Sequence, residues 1–358
     1  VAGLAGAGER SDEGVLGRIV SRARLRTLPR RADFQQNTPV AIKTLLFFIL
    51  QRLITLIATL FFTALVAFFL LEVIPGDPAL DMLGTEARED TLAALRTQLG
   101  LDAPLWLRFF EWIAGFATGD LGMSYRYRVP VSELIWEPIL ITLPLGLIAI
   151  VITIVIALPM GALAARYRGK APDVIVTFFT QLGLAIPNFW FAVLLILIFS
   201  VTLGWFAAGG FPGWDAGPGA VIKALLLPAL SLALPQAAII ARVTRSSVLE
   251  ILDQDFVRTA RAKGLTRSST LWKHVLRNAM IPVVTVMGTQ FTFMLAGSII
   301  VENVFYLPGL GRLIFQAITQ RDLVVIKNVV VLIAALIMIM NFLVDISYAI
   351  LNPRLRQR

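Results

Sequence analysis

The charged side chains with the spacing to do chemistry lie between Asp255 and Pro282. Arg258, Arg261, Lys263, Arg267, Lys273 and Arg277 stand there with one acid, Asp255, and the chain's only histidine, His274. A single histidine cannot make a multi-histidine metal site, so His274 reads as an ordinary residue at a membrane boundary. Gly264 divides the stretch. Before it, Asp255 to Lys263 is predicted to be a short helix, with Phe256, Thr259 and Ala260 on one face and Arg258 and Arg261 off it. Gly264 fits the left-handed residue that closes a helix. Thr266 can cap a second helix, whose Leu271, Val275 and Leu276 lead back into an apolar run. Two short helices joined at a glycine form a handle for another protein; the plainer alternative is a solvated basic loop.

Other chemistries are missing from the sequence. The Gly169-Lys170 pair has Ala164 where a phosphate-cradling loop needs its first glycine, and Ala171 follows it. The chain therefore lacks the loop that would let it hydrolyse ATP itself. No G-x-S-x-G and no H-E-x-x-H occurs, and no set of intramembrane carboxylates suggests proton or sodium coupling. The absence of cysteine excludes disulfides and thiolate metal sites.

The elements that must position the basic stretch are apolar. The 358 residues are 57% hydrophobic and 15% charged, and the apolar residues come in runs long enough to cross a bilayer, which predicts an all-α integral membrane protein. Six spans are expected near 53–74, 139–165, 174–201, 224–248, 280–301 and 324–350. The third is broken near Ile186-Pro187-Asn188, and the sixth is interrupted at its outer end by Lys327 and Asn328. Residues 1–40 read as a basic, mostly disordered tail, able to be helical against anionic lipid between Val15 and Leu28. The net charge of +9 lies beside the spans, a pattern of orientation and anionic headgroups rather than nucleic-acid tracking. Basic inserts at 166–170 and 250–277 then face the cytoplasm with both termini, and the acidic segment 75–137 faces outward. In that outer segment Thr91 to Leu99 reads as a short helix ended by Gly100. Leu105 to Phe116 reads as an amphipathic helix with Trp106, Phe109, Phe110 and Trp112 at the interface. Glu72 reads as an interfacial carboxylate, and Asp345 as a partner for Arg354 or Arg356. The small and weakly polar residues of the fifth span, Gly288 and Gly297 among them, read first as packing.

Arg258 to Gly264 (R-T-A-R-A-K-G) and Arg277 to Pro282 (R-N-A-M-I-P) carry a more specific signal. They resemble the EAA loop of bacterial ATP-binding-cassette importer membrane subunits, in the form used by the dipeptide/oligopeptide/nickel permease family. Arg258-Thr259-Ala260 stand where E-A-A would, a departure at the first position. Pro75-Gly76-Asp77-Pro78-Ala79, Leu99 to Trp106, Gly119 to Ser124 and Pro308 to Arg312 extend the resemblance over about Ala41 to Arg356. It implies a type I ABC importer permease fold, six transmembrane helices with a cytoplasmic coupling loop, in a bacterial inner membrane. It implies a homologous second permease, two cytoplasmic ATPase subunits and an extracytoplasmic solute-binding protein as partners. ATP and magnesium would be bound by those ATPases and no cofactor by this chain. Asp255, Arg258, Thr259, Ala260, Lys263, Gly264 and Leu265 would make the ATPase contact. Substrates of such a family include peptides, nickel chelates, glutathione and sugars, with peptide-like solutes leading here. Readings from other classes are a stand-alone secondary carrier, which would transport without ATP, and a scaffold or enzyme using the outer loop.

Overall fold

The structure, a computed structural model, describes residues 38–73, 77–84 and 88–351. Val1–Leu50 with Pro353–Arg358 form one unit and Gln51–Asn352 another; the account below concerns the second. The tail expected over 1–40 lies outside the described residues up to position 37. Residues 38–40 belong instead to the first helix, which begins well before the expected start at 53.

In chain order the helices are α1 (Thr38–Val73), α2 (Pro78–Leu83), α3 (Glu89–Gln98), α4 (Leu105–Thr118), α5 (Val131–Arg166), α6 (Ala171–Ala185) and α7 (Asn188–Leu195). They continue with α8 (Pro218–Leu252), α9 (Asp255–Ala262), α10 (Arg267–Thr270), α11 (Leu276–Val304), α12 (Leu310–Thr319) and α13 (Leu323–Leu351). Helices dominate because, in lipid, only a helix or a closed barrel satisfies every backbone N–H and C=O internally. Among the described residues the only bridge between extended segments is Met123 with Pro130. Five elements are long and apolar enough to cross a membrane: α1, α5, α8, α10 continuing into α11, and α13.

The sixth candidate crossing is a bent pair of helices. α6 and α7, the latter prolonged by a wider π-helical turn over Ile196–Thr202, meet at 106°. The cause is local. Pro187 has no N–H to donate, and it forces the preceding Ile186 into the extended region (φ −91°, ψ 124°). Each leg is about 22 Å long at 1.5 Å per residue, short of the ~30 Å hydrocarbon core. Neither leg is long enough to cross alone.

α8 is the axis of the bundle, with α5, α6, α7 and α11 packed around it. Leu225, Leu232, Ile240 and Ala241 along it are buried. Between helices in lipid, close packing and hydrogen bonds supply the attraction, so small residues matter. A Cβ on Gly161 of α5 would lie 2.5 Å from the Ala241 carbonyl oxygen and 2.6 Å from Thr244 Cβ; only glycine lets α5 approach α8 this closely. Nearby, the buried Thr153 hydroxyl donates to the Ala233 carbonyl (3.2 Å). On α11, Gly288 plays the same packing part against Val344, 2.8 Å from where its Cβ would be.

The acidic end is held by cross-links between residues distant in sequence. Glu302, fully buried at the end of α11, accepts from the Thr142 hydroxyl of α5 (2.7 Å) and the Gly311 N–H (2.7 Å). The Thr142 oxygen accepts in turn from the Leu310 N–H (2.9 Å). The Pro308–Arg312 turn is thus clamped onto two spans. Asp322 caps α13 and accepts from the Ser124 hydroxyl (2.5 Å). Asn328 is buried, accepts from Trp112 Nε1 (3.0 Å) and donates to the Leu121 carbonyl (2.8 Å).

Several sequence expectations change here. Lys327 and Asn328 do not interrupt the sixth span, because α13 runs through both and Asn328 is what locks it to α4. Of the four aromatics assigned to an interface, Trp106 and Phe110 are exposed, but Phe109 and Trp112 are buried against Phe68 of α1. Glu72 is held in a two-pronged ion pair by Arg108 of α4 (2.8 and 3.1 Å). Asp345 pairs with Arg52 of α1 (3.2 Å); Arg354 and Arg356, the partners expected for it, lie outside the described residues.

Candidate functional site

The basic stretch folds into α9 and the entry to α11, at the end of the bundle opposite those cross-links. α8 ends at Leu252, and two residues, Asp253 and Gln254, turn the chain into α9. The turn is hydrogen-bonded on both sides, Gln254 N–H to Ile251 carbonyl (3.2 Å) and Val257 N–H to Gln254 carbonyl (3.1 Å). A connection this short gives α9 little freedom to swing independently of α8.

The other end of α9 is closed as tightly. The Leu265 N–H reaches back to the Ala260 carbonyl (3.3 Å) and the Gly264 N–H to the Arg261 carbonyl (3.0 Å), with Gly264 at φ +87°. That pair of bonds around a left-handed residue is the Schellman stop. Thr266 then accepts from the Ser269 N–H (3.2 Å) and starts α10. α10 passes through one π-helical turn, Leu271–Val275, into α11. Both Leu271 and Val275 are buried from that turn.

One side chain seats α9 in the bundle. Val257 is 1% exposed and packs with Ala165 of α5, Val248 of α8, and Leu271, Val275 and Ala279. Phe256, expected to share a face with Thr259 and Ala260, is 41% exposed. In eight residues the phase of a helix is set by its tertiary seat, and Val257 takes it. Of the residues singled out in the sequence, Asp255, Arg258, Thr259, Lys263 and Gly264 are exposed, and Ala260 and Leu265 are half-buried. Asp255 and Arg258 form an exposed i,i+3 pair at 3.6 Å. α9 therefore presents a charged surface with one exposed phenylalanine in its first turn. Sequence reasoning missed Val257 and the outward Phe256; the one available signal was that Val257, not Phe256, lies three residues before Ala260.

A second fastening lies beside it. Arg245, near the end of α8, grips the buried Asp173 of α6 through two nitrogens (2.6 and 2.8 Å). Asp173 also accepts from the Gly169 N–H (2.9 Å). This ties the short 167–170 turn to the helix that carries α9. Among the described residues no three His, Cys, Asp or Glu side chains converge as metal ligands would.

Comparison with known proteins assigns this architecture. Residues 157–357 match the family described as binding-protein-dependent transport system inner membrane component, and residues 45–146 match the N-terminal domain that goes with it. The chain belongs to that family. A putative peptide transport system permease protein of Brucella abortus (strain 2308) is 41% identical over 308 residues, covering 86% of this chain and 98% of that one. The glutathione transport system permease protein of Escherichia coli O6:H1 is 40% identical over 311 residues, covering 87% and 99%. Among solved structures, an inward-facing conformation of the MetNI methionine ABC transporter aligns with a TM-score of 0.50 at 22% identity, over 62% of this chain and 97% of that one; this likeness concerns the fold. The protein is thus a multi-pass permease subunit of a bacterial ATP-binding-cassette importer, and it works with other transporter subunits.

Proposed function

We propose that this permease passes peptides or similarly small peptide-like solutes inward across the bacterial inner membrane by alternating access, with α9 as the part driven by partner ATPases. The observation that carries the coupling role is the way α9 is fixed. A two-residue turn holds one end, a Schellman stop the other, and Val257 seats it among α5, α8 and α11. A rigid element held at both ends transmits a displacement that a flexible loop would absorb. Force on its exposed face, through Asp255, Phe256, Arg258, Thr259 and Lys263, would reach α8, the axis of the bundle. The substrate class follows the names of the relatives, in which peptide and glutathione transport both occur.

On this reading the basic end faces the cytoplasm with both termini, and the acidic end meets an extracytoplasmic binding protein. A second, homologous permease completes the passage. ATP and magnesium are bound in two separate ATPase subunits. Isolation of the tagged permease from its native membrane in mild detergent, followed by mass spectrometry, tests the assembly. Recovery of a homologous permease, nucleotide-binding subunits and a binding protein carrying a peptide-like ligand is the expected result. A binding protein loaded with a metal chelate or a sugar would overturn the substrate class, and a solitary, ATP-independent transporter would overturn the coupling role.

A further inference from the structure

The acidic end holds a cation with no ion pair of its own among the described residues. Lys327 of α13 lies with its ammonium 5.4 Å from the ring centres of both Phe68 and Trp112. Among the described residues it forms no ion pair; Glu72, Asp77 and Asp102 line the same cavity as this lysine, the first two already paired and Asp102 accepting from the Thr97 hydroxyl (2.8 Å). Glu72 is held by both guanidinium nitrogens of Arg108, and Asp77 by Arg96 (Nε at 2.7 Å). Lys327 lines a cavity of about 320 Å³ with Phe68, Leu71, Glu72, Arg108 and Tyr125. An adjoining cavity of about 390 Å³ shares Lys327, Arg108 and Tyr125. The Tyr125 hydroxyl has no hydrogen-bond partner among the described residues. Burial raises its pKa above the ordinary value, with Glu72 and Asp322 adding to the rise and Arg108 opposing it. It therefore remains a protonated donor. Two free donors, one cationic, line a recess between the end of α1, the aromatic helix α4 and the start of α13.

The surface beside the recess is apolar. Phe69, Leu70 and Val73 are exposed on the last turns of α1, and Trp106 and Phe110 on α4. Ring contacts run unbroken from Phe69 to Phe109 (6.1 Å) and on to Phe110 (5.4 Å). A half-buried ammonium needs an anion, and exposed aromatics at the end of a spanning helix suit the zone where acyl chains meet headgroups.

We propose that this recess binds one glycerophospholipid, its phosphate accepting from Lys327 and Tyr125 and its acyl chains lying along the aromatic strip of α1 and α4. The phosphate gives Lys327 an ion pair, and the lipid buttresses the α1–α4–α13 junction on the face where solute enters. The shared chemistry is a phosphate oxyanion, so a free anion is the competing source.

The purified full chain in mild detergent, delipidated and then incubated in turn with dioleoyl phosphatidylglycerol, dioleoylglycerol and inorganic phosphate, decides between them by native mass spectrometry. One phosphatidylglycerol should stay bound at an activation energy that strips the rest, whereas dioleoylglycerol and inorganic phosphate should not. Lys327→Met should lower that retention about tenfold, as expected for loss of one charge-assisted hydrogen bond. Tyr125→Phe, which removes a single hydroxyl, serves as the deciding variant if Lys327→Met does not fold. Undiminished retention in the deciding variant, or inorganic phosphate binding as well as the lipid, overturns the proposal.

Discussion

Gly264 gives the most direct test of the coupling role, because its replacement isolates one physical effect. A Cβ built at Gly264 meets nothing within 4 Å, so the first side-chain atom added there has open space. What remains is the backbone, held at φ +87°. A β-branched side chain in the left-handed region costs about 1–2 kcal/mol. The chain can escape that strain by releasing the Leu265–Ala260 and Gly264–Arg261 bonds, at roughly 1 kcal/mol each. Either way Gly264→Val weakens the stop by at most about 2 kcal/mol. That is close to a thirtyfold shift in the balance between closed and frayed α9, in a helix too short to persist unaided. Asparagine tolerates this conformation, so Gly264→Asn should cost less than about 1 kcal/mol. The assay is uptake of labelled peptide into proteoliposomes holding the complete transporter, with ATP hydrolysis measured in the same vesicles. Gly264→Val should insert and fold normally, yet lose about tenfold in transport per ATP hydrolysed, while Gly264→Asn stays within about twofold of wild type. Wild-type coupling in Gly264→Val, or equal damage from both variants, would refute the argument that the closed end of α9 carries the force.

Other expectations follow from the packing and the ion pairs. Gly161→Ala should lower the melting temperature in detergent, because its methyl meets the Ala241 carbonyl and overpacking costs about 1–3 kcal/mol. Arg245→Met leaves the buried Asp173 carboxylate unpaired, a loss towards the lower end of about 3–5 kcal/mol given the partly exposed arginine. Adding Asp173→Leu should restore most of the melting temperature, since an apolar pair is close to neutral. At Asp77 burial pushes the carboxyl up, but the Arg96 side chain and the Ala79 and Leu80 N–H groups outweigh it and hold it below its ordinary 3.8. Its stabilisation is therefore complete above that value and is lost as pH falls through the lower folded value. Hydrogen exchange in residues 77–84 should be flat from about pH 5 upward apart from intrinsic chemistry, and Asp77→Asn should raise it throughout.

The fold was legible because its main signal is local. Runs of apolar residues identify the helices that cross, and Pro187 marks the bent pair. The stop at Gly264 and the cap at Thr266 were equally readable, since each depends on a few consecutive residues. What escaped the sequence was anything decided by a distant partner. Nothing near Glu302 announces Thr142, 160 residues away, and nothing near Trp112 announces Asn328. The face on which α9 seats is hidden for the same reason. Eight residues fit more than one amphipathic face, and the seat offered by Ala165, Val248 and Val275 selects Val257. Nothing near Asp345 announces Arg52, which the helix packing brings to it.

The central position of α8 bears on how the chain is made. A helix surrounded by protein gives up lipid-facing residues for close packing, and α8 carries Pro228, Pro235 and the buried Gln236 and Thr244 along its length. Such a segment partitions into lipid less readily than α5, which leaves the ribosome before it. The contacts that fit the two together, Gly161 on Ala241 and Thr153 on the Ala233 carbonyl, form a surface on α5 that matches α8. With α5 made first, that surface is available when α8 enters the bilayer, and Gly161→Ala should lower the yield of inserted protein as well as its melting temperature.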